Sequence, residues 1–189
     1  MGVVETNRFH RGLKIIVNDE IWEVLDYEHS KMARRSAVVR TRLRNVLTGS
    51  VQEMTFPAGE SFRTPEIEVR TTQFLYADDV AYYFMDTETY EQYPLGPDVV
   101  GEARKFLKEQ QEVKVQLYEG KPIGVELPIV VELEVTETEP GVKGDTVSST
   151  TKPATLETGA VVSVPLFVDV GTVIRVDTRT GKYLERVKK

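Results

Sequence analysis

Arg40, Arg42 and Arg44 take every second position of one short segment, Ala37-Val38-Val39-Arg40-Thr41-Arg42-Leu43-Arg44. In an extended strand this parity puts the three guanidinium groups on one face, about 6.6 Å apart, and Ala37, Val39, Thr41 and Leu43 on the other. That row is close to the spacing of successive backbone phosphates, and each guanidinium fork can hold a phosphate through two N–H donors. The chemistry it offers is recognition of a polyanion. Just upstream, the stretch from His29 to Ser36 adds Lys31, Arg34 and Arg35, and no acidic residue occurs between Glu28 and Glu53. The stripe has two readings: an RNA-binding face, which is the favoured one, or an edge strand that basic residues keep from aggregating.

Residues for bond-making chemistry are scarce. There are two histidines, His10 and His29, and no cysteine, which leaves no transition-metal cluster and no thiol nucleophile. Gly120-Lys121 runs into Pro122 and Gly181-Lys182 into Tyr183, so neither forms a phosphate-binding loop. Glu132 and Glu134 alternate with Val131, Leu133 and Val135 as the wet face of a strand, and Asp78-Asp79 reads as a turn. The expectation is a non-enzyme without metal or cofactor.

The net charge of −6 over 189 residues conceals a division. With breaks at Pro65 and Pro128, residues 1–64 carry 10 basic and 8 acidic side chains, residues 65–128 carry 6 and 13, and residues 129–189 carry 8 and 9. A basic end beside an acidic middle suits a molecule that offers RNA one end only. The start of the chain lacks a basic stretch followed by an apolar run, and the longest apolar runs fall far short of the roughly 20 residues of a membrane span. A soluble, cytoplasmic protein with no membrane partner is expected.

The elements that must position the arginines are short and β-rich. Lys14 to Val17, an Asn18-Asp19-Glu20 turn and Ile21 to Tyr27 form a hairpin. Val38 to Val46 is the basic strand, and Val51 to Phe56 returns after Thr48-Gly49-Ser50. Further strands are Ile67 to Phe74, Val80 to Met85, Glu91 to Leu95, Val113 to Tyr118, Ile123 to Leu127, Val130 to Thr136, Ala160 to Val168 and Val173 to Asp177. One helix breaks the alternation: Asp98 caps it, and Val99, Ala103, Phe106 and Leu107 share its apolar face. Proline marks the joints at Pro65 and Pro128. Both joints are short and without Gly/Ser runs, so the expected domains, 1–64, 65–128 and 129–189, hold a fixed arrangement. No strong internal repeat is visible. The fold class expected is all-β, as three small barrels.

The C-terminal third carries a long specific stretch, Lys152-Pro153-Ala154-Thr155-Leu156-Glu157-Thr158-Gly159-Ala160-Val161-Val162-Ser163-Val164-Pro165-Leu166-Phe167-Val168. It resembles the signature of the bacterial elongation factor P family. So do Pro140-Gly141-Val142-Lys143-Gly144-Asp145-Thr146, Val176-Asp177-Thr178-Arg179-Thr180-Gly181-Lys182-Tyr183, Phe84-Met85-Asp86-Thr87-Glu88-Thr89-Tyr90-Glu91-Gln92, Trp22-Glu23-Val24 and Asn45-Val46-Leu47-Thr48-Gly49. The resemblance implies an SH3-like (KOW-type) first domain and two OB-fold domains in an L shaped like tRNA. It implies a monomer that binds both subunits of the ribosome, contacting peptidyl-tRNA and rRNA between the peptidyl-tRNA and exit sites, and relieves stalling at consecutive prolines. Arg34 aligns with the family's tip residue, a position where arginine is modified by a glycosyltransferase; the family often flanks it with glycine, whereas Ala33 and Arg35 stand here. With Lys31, Arg34 and Arg35 placed in the tip loop by the resemblance and Arg40, Arg42 and Arg44 on the basic face by strand parity, these six are the expected tRNA- and rRNA-binding residues. Gly144, Asp145 and Thr146 match the segment near the exit-site codon, and Tyr183 and Arg186 match RNA-contacting positions. The alternatives are a paralogue with another ribosomal task and a free OB-type RNA-binding protein.

Overall fold

The structure, a computed structural model, describes residues 2–30, 37–141 and 150–187. Among them the chain is all-β, with three antiparallel sheets. The first sheet contains β1 (Gly2–Glu5), β2 (Lys14–Val17), β3 (Glu20–Ser30), β4 (Val38–Asn45), β5 (Val51–Pro57) and β6 (Ser61–Thr64), in the order β1-β6-β2-β3-β4-β5. The second contains β7 (Glu68–Ala77), β8 (Tyr82–Asp86), β9 (Gln92–Leu95), β10 (Glu112–Tyr118) and β11 (Lys121–Glu126), ordered β11-β10-β7-β8-β9. The third contains β12 (Val130–Thr138), β13 (Thr151–Leu156), β14 (Val161–Pro165), β15 (Val173–Asp177) and β16 (Lys182–Arg186), ordered β14-β13-β12-β15-β16.

Each sheet closes over apolar residues supplied by strand alternation: Ile15, Val24 and Leu43 in the first, Phe84, Val113 and Val115 in the second, Leu133, Val135 and Val164 in the third. Asn18 (φ 52°) and Asp19 (φ 64°) make the tight β2–β3 turn, because both residue types tolerate the left-handed backbone a twisted two-residue hairpin needs. Four strands lie outside the sequence expectation. β1, β6 and β16 are short and mostly exposed, so they show little apolar alternation. In β13 the inward positions are Lys152, Ala154 and Leu156, and Pro153 interrupts the pattern. Proline is tolerated there because the ladder to β12 ends at Ala154.

The three sheets share one turn, although no repeat is visible in the sequence. After β4, β8 and β15 an Asn or Asp side chain turns back on the chain: Asn45 Oδ1 accepts from the N–H groups of Leu47 and Thr48, Asp86 Oδ1 from Glu88 and Thr89, and Asp177 Oδ1 from Arg179. The residue four positions on, Gly49, Tyr90 or Gly181, is left-handed and donates its N–H to the main-chain carbonyl of that Asn or Asp. All three side chains are buried. Hydrogen bonds thus stand in for water around two carboxylates inside the fold.

Asp177 is the most strongly perturbed of them. The Arg179 guanidinium, donating from Nε at 3.1 Å and Nη2 at 2.7 Å, and the Arg179 backbone N–H lower its pKa from 3.8 to about 2. A carboxyl lowered on folding adds stability above its unfolded pKa, and that stability fades as the pH drops towards 2. Asp177→Asn is therefore expected to lower the thermal midpoint at pH 7. The gap from wild type should close between about pH 4 and 2, measured by calorimetry across that range; a constant gap would show that charge plays no part.

The helix differs from expectation. Gly96 occupies the N-cap and Pro97 the first helical position, while Asp98 lies in the first turn and makes no side-chain cap. Proline suits that position because its missing N–H would be unpaired there anyway. The α-helix runs only over Pro97–Val100; Gly101, left-handed at φ 57°, stops it, and Gly101–Phe106 continues as a 3-10 helix. Val100 rather than Val99 is the buried valine. Phe106 and Leu107 also part company: Leu107 joins the second core and Phe106 the third.

Both joints are packed. Ile16, Ile21 and Val46 of the first sheet region meet Ile123, Ile67 and Tyr118 of the second. At the other joint, Phe106 and Leu127 enter the third core. Thr158 Oγ1 donates to the Lys105 carbonyl at 2.6 Å, Lys108 Nζ bonds Glu157 at 2.9 Å, and Thr178 Oγ1 donates to the Pro128 carbonyl at 2.8 Å.

Candidate nucleic-acid interface

β4 is held between β3 and β5, and its alternation is the one the sequence predicts: Val39, Thr41 and Leu43 are buried, while Arg40 and Arg42 are exposed. Cross-strand pairing decides what surrounds them. Arg40 lies between Glu28 and Thr55, Arg42 between Asp26 and Glu53, and Arg44 between Glu23 and Val51. A run of sequence free of acids is thus flanked in space by four carboxylates. Together β3, β4 and β5 line an open groove of about 520 Å³ whose walls include Asp26, Glu28, Arg40, Arg42 and Glu53.

The arginines differ in how far these carboxylates claim them. Arg44 is half-buried and bonds Glu23 at 2.5 Å. Its guanidinium also reaches the second domain region, where a Cβ on Gly101 would come within 2.9 Å of Nη1. Asp26 is held mainly by Arg11, 2.9 Å away; that bond, with the Tyr27 N–H and a weaker pull from Arg42, keeps its carboxyl below the usual range. Arg40 and Arg42 have no ion-pair partner among the described residues. Of the three β4 arginines, Arg40 and Arg42 are therefore the exposed ones, and Arg44 is taken by Glu23 and lies against Gly101. Lys31, Arg34 and Arg35 lie outside the described residues; their segment connects Ser30 to Ala37, at the end of the β3–β4 hairpin where Ser30 pairs with Val38.

Gly144, Asp145 and Thr146 also lie outside the described residues. The preceding Gly141 is described, and a Cβ there would meet the Leu166 carbonyl oxygen at 2.3 Å, so only glycine fits. Tyr183 is half-buried against the third core, whereas Arg186 is exposed on β16 with its guanidinium 5.9 Å from the Phe167 ring centre. The basic groove lies on the first sheet, and Tyr183 and Arg186 lie on the third. Sequence reasoning did not single out Phe167, Glu157 or Thr158 individually. Glu157 and Thr158, inside the long signature, bind the middle of the chain across the second joint, so part of that signature encodes how two domains meet.

Residues 5–62 match the family model described as the elongation factor P KOW-like domain, residues 67–125 the elongation factor P OB domain, and residues 131–186 the elongation factor P C-terminal domain. The chain belongs to the elongation factor P family. Elongation factor P of Caldanaerobacter subterraneus subsp. tengcongensis is 52% identical over 185 residues, covering 98% of this chain and all of that relative. The elongation factor P of a Thermoanaerobacter species matches to the same extent. Among solved structures, eukaryotic translation initiation factor 5A from Methanococcus jannaschii overlaps 66% of this chain and 95% of its own, at 22% identity and a TM-score of 0.48. The family models give the sheets their fold names: the first is KOW-like and the second is an OB domain.

Proposed function

We propose that this chain acts as translation elongation factor P, binding the ribosome between the peptidyl-tRNA and exit sites and relieving stalling at consecutive prolines. The observation that carries this reading is the family match along the whole chain, at 52% identity to curated elongation factors P. The domains, 1–64, 65–128 and 129–189, stand in an L shaped like tRNA. The first reaches towards the CCA end of the peptidyl-tRNA with Lys31, Arg34 and Arg35 at its tip and Arg40 and Arg42 behind. The third lies beside the small subunit with Gly144, Asp145, Thr146, Tyr183 and Arg186. Arg34 is the position open to a modifying glycosyltransferase. The protein works in the cytoplasm as a monomer.

Proline is a poorly placed nucleophile and donor. Ribosomal RNA does the chemistry, and the factor contributes by restraining the tRNA near a reactive geometry. Basic side chains supply the salt-dependent part of that grip. Expressed in a bacterial strain lacking its own elongation factor P, the chain is expected to restore synthesis of a reporter containing consecutive prolines and to leave a proline-free reporter unchanged. Equal yields of the proline reporter with and without the chain would overturn the reading.

A further inference from the structure

Six of the seven phenylalanines are buried or half-buried in the cores; Phe167 alone leaves 60% of its surface exposed. The arginines of residues 129–189 divide in the same way. Arg175 bridges Glu132 at 2.9 Å and Glu185 at 2.6 Å, and Arg179 grips Asp177. Arg186 has no ion pair among the described residues, and its guanidinium carbon sits 5.9 Å from the centre of the Phe167 ring, within cation–π range. The nearby Asp169 carboxylate faces the buried Lys152 ammonium at 3.7 Å. A single exposed apolar side chain is ordinary. An exposed ring beside a guanidinium with no ion pair among the described residues leaves a flat apolar face and solvent-facing N–H donors side by side.

We propose that Phe167 and Arg186 form a platform on which an unpaired RNA base stacks, with the guanidinium bound to the adjoining phosphate. The proposal rests on the ribosomal reading above and adds Phe167 to the contacts of the third domain. Stacking needs only the π-face that every base has, so it supplies affinity without sequence preference, and the fork of Arg186 matches a phosphate oxygen pair. The Leu166 carbonyl packs against Gly141, so the platform stands next to the point where the chain enters the segment bearing Gly144, Asp145 and Thr146.

The test uses the full chain and 70S ribosomes carrying peptidyl-tRNA with a vacant exit site. Dissociation constants are compared for Phe167→Ala, Phe167→Leu and Phe167→Trp, with melting curves to confirm folding. Loss of a base–aromatic stack of about 1–3 kcal/mol predicts roughly 5- to 150-fold weaker binding for the alanine and leucine variants. Phe167→Trp should stay near wild type. A photo-crosslinking benzoylphenylalanine at position 167 should attach to RNA. Leucine binding as well as phenylalanine, or a crosslink to ribosomal protein alone, overturns the platform and leaves the factor reading standing. A wild-type chain that does not bind these ribosomes overturns both.

Discussion

Arg34→Ala is expected to lower synthesis through consecutive prolines on the order of tenfold, about 1.4 kcal/mol in barrier, while proline-free translation and the melting temperature stay unchanged. The size follows from position and charge. Arg34 falls on the segment joining β3 to β4, where Lys31, Arg34 and Arg35 occur without an acidic residue, and the first sheet's core is built from residues elsewhere. Arg40→Ala and Arg42→Ala should have smaller effects, because Glu28, Asp26 and Glu53 flank those guanidinium groups and already offset part of their field. Reporter yields for the three variants in the strain lacking the factor rank them directly. A ranking with Arg40 or Arg42 above Arg34 would move the working site from the hairpin end to the groove.

Phe106→Ala should cost about 3–5 kcal/mol, as deletion of a buried aromatic side chain does. The phenyl ring lies in the third core, where a Cβ added to Gly181 would come 3.8 Å from its Cζ, yet it is carried by the 3-10 helix that follows β9 and the short α-helix. The variant therefore removes packing from the third domain and its link to the second at once. Calorimetry should show a lowered unfolding transition that separates from the remainder. Thr158→Ala, which removes one hydrogen bond to the Lys105 carbonyl, should cost only about 1 kcal/mol. Equal effects of the two substitutions would mean that the ring is not a keystone of the joint.

Local physics accounts for what the sequence by itself determined. A period of two identifies most strands, the Asn18-Asp19 turn follows from residues that accept a left-handed backbone, and the parity of Arg40 and Arg42 follows from the pleat. The all-β class belongs to the same level. The four unforeseen strands lack that signal: β1, β6 and β16 bury little, and β13 hides its inward face behind Lys152 and Pro153. The tertiary structure alone decided which charges meet. Arg44 shares a face with Arg40 and Arg42, yet Glu23 claims it; Phe106 and Leu107 are adjacent, yet they enter different cores. The physical reason is common to both. Periodicity fixes the direction of a side chain from its immediate neighbours, whereas its partner is set by strand pairing and domain packing between residues far apart in the chain.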